Sequence, residues 1–440
     1  MNSNRRKFIK QSGTFMAGAA IAPSVFSRSY KAAPSDTVNV ALIGCRNMGF
    51  GILKRHLELP DIQVIGMCDV DQNVLGERTA EVEKNYNQKP KKYSDYRKLL
   101  ENKDLDAVII GTPDHWHCLP MVAACQAGKD VYVEKPMANS IGECNVMVKA
   151  ATKYNRIVQV GQQQRSGKIW NEIMDYIKSG KLGTLRKVTI WSNFNYGVGR
   201  PKVPDQPVPE GVDFNFWLGP APDRTFNPSR FHGSWRMFWD YGGGLMTDWG
   251  VHLLDMAFWA KDIKNPPKTV LAYGANLSYN DHAHETFDTM AVTFPMEGYM
   301  VSWEHTAGTQ TGPWDKNYGL AFKGDKGTIV ANRQGWEIIS EWDNEKKEHK
   351  IEEASYDKGR ENHDMHVKNF IECIKSRKTP NCPPEIGRAV AIAAHMSNLA
   401  VRTGDYKLVW DDAESKFSNS KKATEYVIPQ YRQPWELPGI

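Results

Sequence analysis

Between Thr37 and Val160 five short apolar runs alternate with helix-patterned stretches, and this alternation constrains the fold more than any other feature of the chain. The runs cover residues 38–43, 62–68, 107–111, 131–134 and 157–160, and the helical patterns cover 47–59, 72–84, 118–127 and 142–154. Strands so short and so uniformly apolar have no polar face to offer water. They therefore predict a parallel sheet covered by helices on both sides, an α/β doubly wound arrangement. Ligands of such sheets bind at the carboxyl ends of the strands, which directs attention to the turns that follow each run.

After residue 161 the texture changes. A helix over 169–178 and a strand over 185–195 lead into a Pro-rich loop at 197–210 and a helix over 245–260. Runs at 270–279, 286–294 and 299–305 then alternate as an antiparallel sheet with one buried face would, and helices over 364–376 and 385–402 follow. The expected organisation is a signal segment at 1–30, a doubly wound domain at 37–160, a second domain with antiparallel strands and helices at 161–403, and an irregular tail at 404–440. There is no internal repeat.

The 440 residues carry 56 Lys and Arg against 51 Asp and Glu, but residues 1–33 hold Arg5, Arg6, Lys7, Lys10, Arg28 and Lys31 with no acid. The rest of the chain is neutral, which argues against a basic nucleic-acid binder and against a disordered acidic tail. Asn4-Arg5-Arg6-Lys7-Phe8-Ile9-Lys10, followed by a mildly apolar run to Phe26, resembles a twin-arginine export signal; the run is too short to span a membrane. A periplasmic or otherwise exported location is expected, with no membrane anchor, because the first cysteine is Cys45. The seven cysteines form no C-x-x-C pair and are expected to be buried thiols.

The first turn reads Gly44-Cys45-Arg46-Asn47-Met48-Gly49 and fits the fingerprint G-x-G-x-x-G at its first and third glycines, with Arg46 at the second. The first glycine permits the tight turn and the third permits close helix–strand packing; the second lets a pyrophosphate approach the backbone. Here Arg46 could contact the pyrophosphate, at the N-terminus of the following helix, or a 2′-phosphate. The second run ends at Asp69, where a carboxylate would accept from ribose hydroxyls and repel a 2′-phosphate, favouring NAD over NADP. Asp69 could instead cap a turn or helix, a job equally open to Asp71.

Three further stretches carry chemistry: Thr112-Pro113-Asp114-His115-Trp116-His117, Glu134-Lys135-Pro136, and Gly242-Gly243-Gly244-Leu245-Met246-Thr247-Asp248-Trp249-Gly250-Val251-His252. Asp248 and His252, four apart, are expected on one helical face. Lys135 could be a solvated loop charge, and the Asp248/His252 pair a structural hydrogen bond. Asp248 with His252, or His363 with His366, have ligand spacing, but no further ligands can be assigned, so no metal is expected. Ten of the 14 tryptophans lie between Trp191 and Trp342, chiefly as core and interface. Phe231-His232-Gly233-Ser234-Trp235-Arg236 mixes aromatic and polar groups as a sugar site would, and Gln162-Gln163-Gln164-Arg165 could line the same cleft.

This combination, in this order, resembles the glucose-fructose oxidoreductase and inositol dehydrogenase family (Gfo/Idh/MocA) over nearly all of the chain after residue 37. The resemblance implies that Lys135 and His252 serve proton transfer at a substrate hydroxyl and that Asp248 binds and orients the substrate. It also implies an NAD-binding Rossmann domain at 37–160, an α/β domain for substrate binding and oligomerisation at 161–403 with a large, mostly antiparallel open sheet, and a homodimer or homotetramer formed through that C-terminal sheet. The missing middle glycine departs from the pattern at the pyrophosphate. The expected cofactor contacts are Gly44, Arg46, Asn47, Met48, Gly49, Asp69, Thr112, Pro113, His117, Glu134 and Lys135; the expected substrate contacts are Arg165, His232, Trp235, Arg236, Asp248 and His252.

The expected function is an exported, NAD-dependent oxidoreductase acting on a secondary hydroxyl of a sugar or glycoside, at C3. No NAD pool exists outside the cytoplasm, so the cofactor should be tightly held and recycled within the site. Two alternatives are a glycosidase working by transient C3 oxidation and elimination, and a sugar-binding protein without turnover.

Overall fold

The computed structural model describes residues 36–356 and 363–440; the expected export segment lies outside them. The first unit contains β1 (Val38–Ile43), α1 (Asn47–Leu57), β2 (Ile62–Cys68), α2 (Gln72–Tyr86), β3 (Lys91–Tyr93), α3 (Tyr96–Leu100), β4 (Ala107–Ile110), α4 (Cys118–Gln126), β5 (Asp130–Val133), α5 (Ile141–Lys153) and β6 (Val158–Val160). All six strands pair in parallel in the order β3-β2-β1-β4-β5-β6. The order reverses between β1 and β4, so a crevice opens at their carboxyl ends, where the turns after Ile43 and Ile110 face each other. The edge strand β3 and the short α3 escape a search for apolar runs, because Lys91-Lys92-Tyr93 is polar and borders solvent.

The second unit is a ten-stranded sheet in the order Ala354–Tyr356, Trp336–Ser340, Gly327–Ala331, Tyr318–Lys323, Lys187–Ser192, Tyr299–Thr306, Thr289–Met296, Thr269–Ala275, Lys407–Asp411, Lys416–Phe417. It is antiparallel except where Lys187–Ser192 pairs in parallel with Tyr299–Thr306. Val270, Ala272, Val301 and Trp303 are buried in the main core with the helices Lys168–Lys178, Val251–Trp259 and Pro384–Thr403. The alternating positions Leu271, Tyr273 and Met300 point to solvent.

Two expected boundaries need correction. Helix His363–Ser376 does not belong with residues 161–403: its Val367, Phe370 and Ile371 join the core formed by Val40, Phe50 and Leu53, covering the open flank of the first sheet beside α1. The tail from 404 is not irregular. Lys407–Asp411 and Lys416–Phe417 extend the second sheet, while Tyr431, Trp435 and Leu437 pack on the first unit's core. All seven cysteines are buried and unpaired.

Candidate active site

A cleft of about 430 Å³ runs from the β1 turn across the carboxyl ends of the parallel strands to the start of helix Val251–Trp259. Gly44 takes φ +88°, and a Cβ there would lie 2.7 Å from the Thr112 amide nitrogen. A Cβ on Gly49 would stand 2.2 Å from the Gly44 carbonyl oxygen. These two glycines thus let α1 start directly over β1, with its N-terminus facing the cleft. Arg46, Asn47 and Met48 line the opening, and the Arg46 Nη1 and Thr112 Oγ1 are buried without a partner among the described residues. Two orphaned donors beside a helix N-terminus suit a pyrophosphate.

At the end of β2 the two aspartates divide their tasks. Asp71 caps α2, accepting from the amides of Asn73 and Val74. Asp69 is left facing the cleft, its carboxylate aimed by the amides of Cys45 at 2.7 Å and Asp71 at 2.9 Å. Burial outweighs these amides and pushes its carboxyl up to about 6. The residues present therefore fit a dinucleotide: a glycine turn, a helix N-terminus and a carboxylate with spare lone pairs for ribose hydroxyls.

At the other end of the cleft, Lys135 follows β5 and reaches Asp248, donating from Nζ to Oδ1 at 2.5 Å and to the Asp248 carbonyl at 2.9 Å. Asp248 also accepts from the Tyr196 hydroxyl at 2.7 Å and from Arg236 Nε at 3.3 Å. Burial alone would raise the Asp248 carboxyl, but Lys135, Arg236 and Tyr196 overcome it and hold the group ionised, well below the usual carboxylate range. Burial also disfavours charge on Arg236, yet Asp248 and Asp114 more than restore it.

Asp248 sits in a π-helical turn, Met246–Gly250, that runs into helix Val251–Trp259. The wider turn replaces the plain i, i+4 helical pairing expected from the spacing. Both side chains still reach the cleft, with Asp248 bound to Lys135. His252 is buried with its Nδ1 unpartnered among the described residues. Burial, reinforced by Arg333, Lys135 and His363, drives its pKa far below the ordinary value, so the imidazole is neutral. Glu134, immediately before Lys135, is pushed up to about 7 by burial.

The structure brings Gly44, Arg46, Asn47, Met48, Asp69, Thr112, Pro113, Glu134, Lys135, His232, Trp235, Arg236, Asp248 and His252 into one cleft. Gly49 serves packing behind it. Two more expected contacts do not line it either. Arg165 points away and pairs with the fully buried Asp255 at 2.8 Å, its guanidinium lying over Trp259, because a buried cation needs a buried anion. His117 stands behind the wall, with Nδ1 2.7 Å from the Pro136 carbonyl and Nε2 3.0 Å from the Thr112 carbonyl; burial lowers its pKa to about 4, so the neutral ring donates to one of these two carbonyls and packs between the loops that carry them. His232 does line the cleft, but its Nε2 bonds Asp71 Oδ2 at 2.8 Å, which places it at the β2 end, away from Lys135.

Sequence reasoning missed Tyr196, Asp114, Arg333 and His363 as cleft residues, all of which line it; Gln163, from a stretch expected there, lines it too. Asp114 lay in a stretch already singled out. Arg333, stacked 4.6 Å over Trp249 and bonded to Gln164, comes from a turn with no motif of its own. Among the described residues no three His, Cys, Asp or Glu side chains converge as a metal would require.

Residues 38–162 match the GFO/IDH/MocA oxidoreductase family's NAD-binding Rossmann fold, and residues 167–334 match its C-terminal alpha/beta domain. Among curated proteins, a glycosyl hydrolase family 109 protein of Shewanella baltica is 29% identical over 204 residues, 42% of this chain and 44% of that protein. An alpha-N-acetylgalactosaminidase of Shewanella oneidensis is 27% identical over the same length. The chain therefore spans less than half the length of these relatives. Among solved structures, a levoglucosan dehydrogenase in complex with NADH and levoglucosan superposes with a TM-score of 0.64 at 17% identity, over 85% of this chain and 99% of that one. The aldose-aldose oxidoreductase of Caulobacter crescentus, in complex with glycerol, gives 0.62 at 20% identity over the same shares. These two likenesses show a shared fold. With both of its domains matched in chain order, this chain belongs to the GFO/IDH/MocA family of NAD-binding oxidoreductases.

Proposed function

We propose that this protein is an exported oxidoreductase that holds NAD tightly and oxidises or reduces a secondary hydroxyl of a sugar or glycoside, at C3. The observation that carries this reading is the cleft itself, with a dinucleotide cradle at one end and Lys135, Asp248 and His252 converging at the other. When bound, NAD accepts and returns a hydride. The chain's own residues handle the proton and the geometry. Lys135 commits two of its three N–H groups to Asp248, which leaves one to aim at the reacting oxygen and to stabilise developing alkoxide charge. Neutral His252, its Nδ1 without a partner among the described residues, is placed to accept the hydroxyl proton, although the burial and neighbouring cations that keep it neutral also make it a weak base. Asp248, anchored by Tyr196 and Arg236, orients Lys135 and offers the one remaining acceptor site, on Oδ2, to the substrate. Trp235, with Arg236 stacked 4.2 Å over its ring, gives an apolar surface for a sugar's C–H face.

Asp69 supports NAD rather than NADP, since its carboxylate would repel a 2′-phosphate. The acid-free twin-arginine stretch supports export, and the exposed Leu271, Tyr273 and Met300 support association through the open sheet face. The names of the curated relatives favour a second reading, in which transient oxidation at C3 acidifies the C2 proton, the aglycone leaves C1 by elimination to an enone, water adds back with its oxygen at C1 and a solvent proton at C2, and the hydride is returned to C3 before release. Turnover of a glycoside in heavy water separates the two. Deuterium at C2 with released aglycone indicates elimination; an accumulating 3-keto product indicates a net dehydrogenase. Absence of both with every sugar and glycoside offered would refute the enzyme reading and favour a binding protein.

A further inference from the structure

The second unit sends one segment back across the first. After strand Lys187–Ser192 the chain leaves the sheet, and residues 210–217 and 231–235 lie against the carboxyl ends of β2 and β4. The attachment is specific. The Gln72 amide donates to the Gly211 carbonyl at 2.9 Å, the Asp213 amide to the Val70 carbonyl at 2.9 Å, and Asn73 Nδ2 to the Glu210 carbonyl at 2.8 Å. Trp116 Nε1 donates to the Trp217 carbonyl at 2.8 Å, and Arg432 from the C-terminal tail grips the Asn215 carbonyl at 2.8 Å. The last tie is His232 Nε2 on Asp71 Oδ2 at 2.8 Å, with the imidazole lying on the Phe231 ring at a centroid distance of 3.7 Å.

What this segment covers matters more than what holds it. Phe216, Trp217, His232 and Gly233 line the same cleft as Asp69, Val70, Ser94 and Tyr96. The Tyr96 and Phe216 rings are near parallel, 8° apart with centroids at 6.5 Å, and Trp116 meets both edge-on. A dinucleotide whose ribose sits at Asp69 would have its adenosine half beneath this cover. Leaving the cleft would then mean breaking the contacts that hold the segment down.

We propose that residues 210–235 form a strap over the adenosine end of the cleft, latched by His232 on Asp71, and that the latch sets the residence time of the cofactor. The inference rests on the reading above that NAD is bound here and retained. His232 is a positioning residue in this account, acting through Asp71 and the strap without touching the reacting atoms.

The test measures exchange. Purified holoprotein is mixed with excess isotopically labelled NAD, and incorporation of label is followed for the wild type, His232→Ala, His232→Gln and Asp71→Asn, with thermal unfolding of each recorded. Gln places a donor where His Nε2 stands, and Asn still caps α2. The wild type should exchange slowly; His232→Ala and Asp71→Asn should exchange about tenfold faster or more, as loss of one charge-assisted hydrogen bond implies, with His232→Gln returning towards the wild-type rate. If His232→Ala fails to fold, Asp71→Asn against the wild type decides alone. A wild type that carries no NAD and exchanges within seconds overturns the tight-binding reading. A slowly exchanging wild type whose folded variants match it overturns the latch.

Discussion

Replacing Asp248 by Asn should cost both stability and turnover, and its size follows from the contacts. Lys135 Nζ lies 2.5 Å from Oδ1 and Arg236 Nε 3.3 Å, and the Lys135 and Asp248 side chains are only 9% and 11% exposed. At an effective dielectric of about 20 the Lys135 contact alone gives about 7 kcal/mol of attraction, set against several kcal/mol of desolvation for each ion. The substituted amide would keep the shape but leave two buried cations without their anion, so we expect a loss of about 3–5 kcal/mol. The coupling is measurable by a double-mutant cycle of Asp248→Asn and Lys135→Met in cofactor-stripped protein, read by urea unfolding of tryptophan fluorescence, with Trp249 bonded to Tyr196 as a local reporter. The double variant should lose at least about 2 kcal/mol less than the two single losses together. Because the folded Asp248 carboxyl is held below its unfolded value, its contribution is complete at neutral pH and fades only below about pH 4, as the unfolded chain takes up the proton first. Additivity within about 0.5 kcal/mol, or a penalty that vanishes already at about pH 6, would refute the description of Asp248 as the ionised hub of the site.

Other outcomes follow from single residues. Glu134 keeps a proton up to about pH 7, whereas its ordinary value is 4.5, so its own contribution to stability falls as pH rises between these values; Glu134→Gln should remove that contribution, seen in thermal melts as a difference between variant and wild type that shifts in the variant's favour from pH 4.5 to about 7, while Asp69 and Glu143 keep their share in both. Gly44→Ala forces φ +88° on a residue with a side chain and drives a Cβ against the Thr112 amide, so the purified variant should contain little or no NAD by absorbance of the released nucleotide. Asp69→Ala should raise NADP affinity relative to NAD by about tenfold or more in titration calorimetry, and an unchanged ratio would remove Asp69 from cofactor choice. Arg165→Met strands Asp255 in the core and should lower stability by about 3–5 kcal/mol, while substrate KM in the folded fraction stays put.

The first domain was largely legible because its strands are buried on both faces, leaving no ambiguity of pattern; β1 and β2 fall where the apolar runs begin and end. Asp69 and Lys135 could be placed because a strand end fixes the residues that follow it. The second domain was less legible. Tyr318–Lys323 and Gly327–Ala331 lie mid-sheet with residues buried on both faces, so they lack the alternation that marked Tyr299–Thr306. The π-turn at Asp248 has no sequence signature in its spacing. Arg165 and His117 lie in stretches that follow parallel strands and border the cleft, and only their surroundings, Asp255 for the one and two backbone carbonyls for the other, reveal structural work. Tyr196 and Arg333 approach the site from loops of the second domain, so no local motif could announce them.

The central claim is that one cleft holds NAD and takes a hydride from the sugar carbon that bears the reacting hydroxyl, under the control of Lys135, Asp248 and His252. Rapid mixing of the as-isolated holoprotein with glycosides, single turnover, tests it most directly, using substrates with hydrogen or deuterium at C3. The account predicts reduced-nicotinamide absorbance within the first turnover, slowed by deuterium and lost in Lys135→Ala at unchanged cofactor content. Glycoside consumption with no reduced nicotinamide at any time, or an undiminished signal from Lys135→Ala, would contradict it.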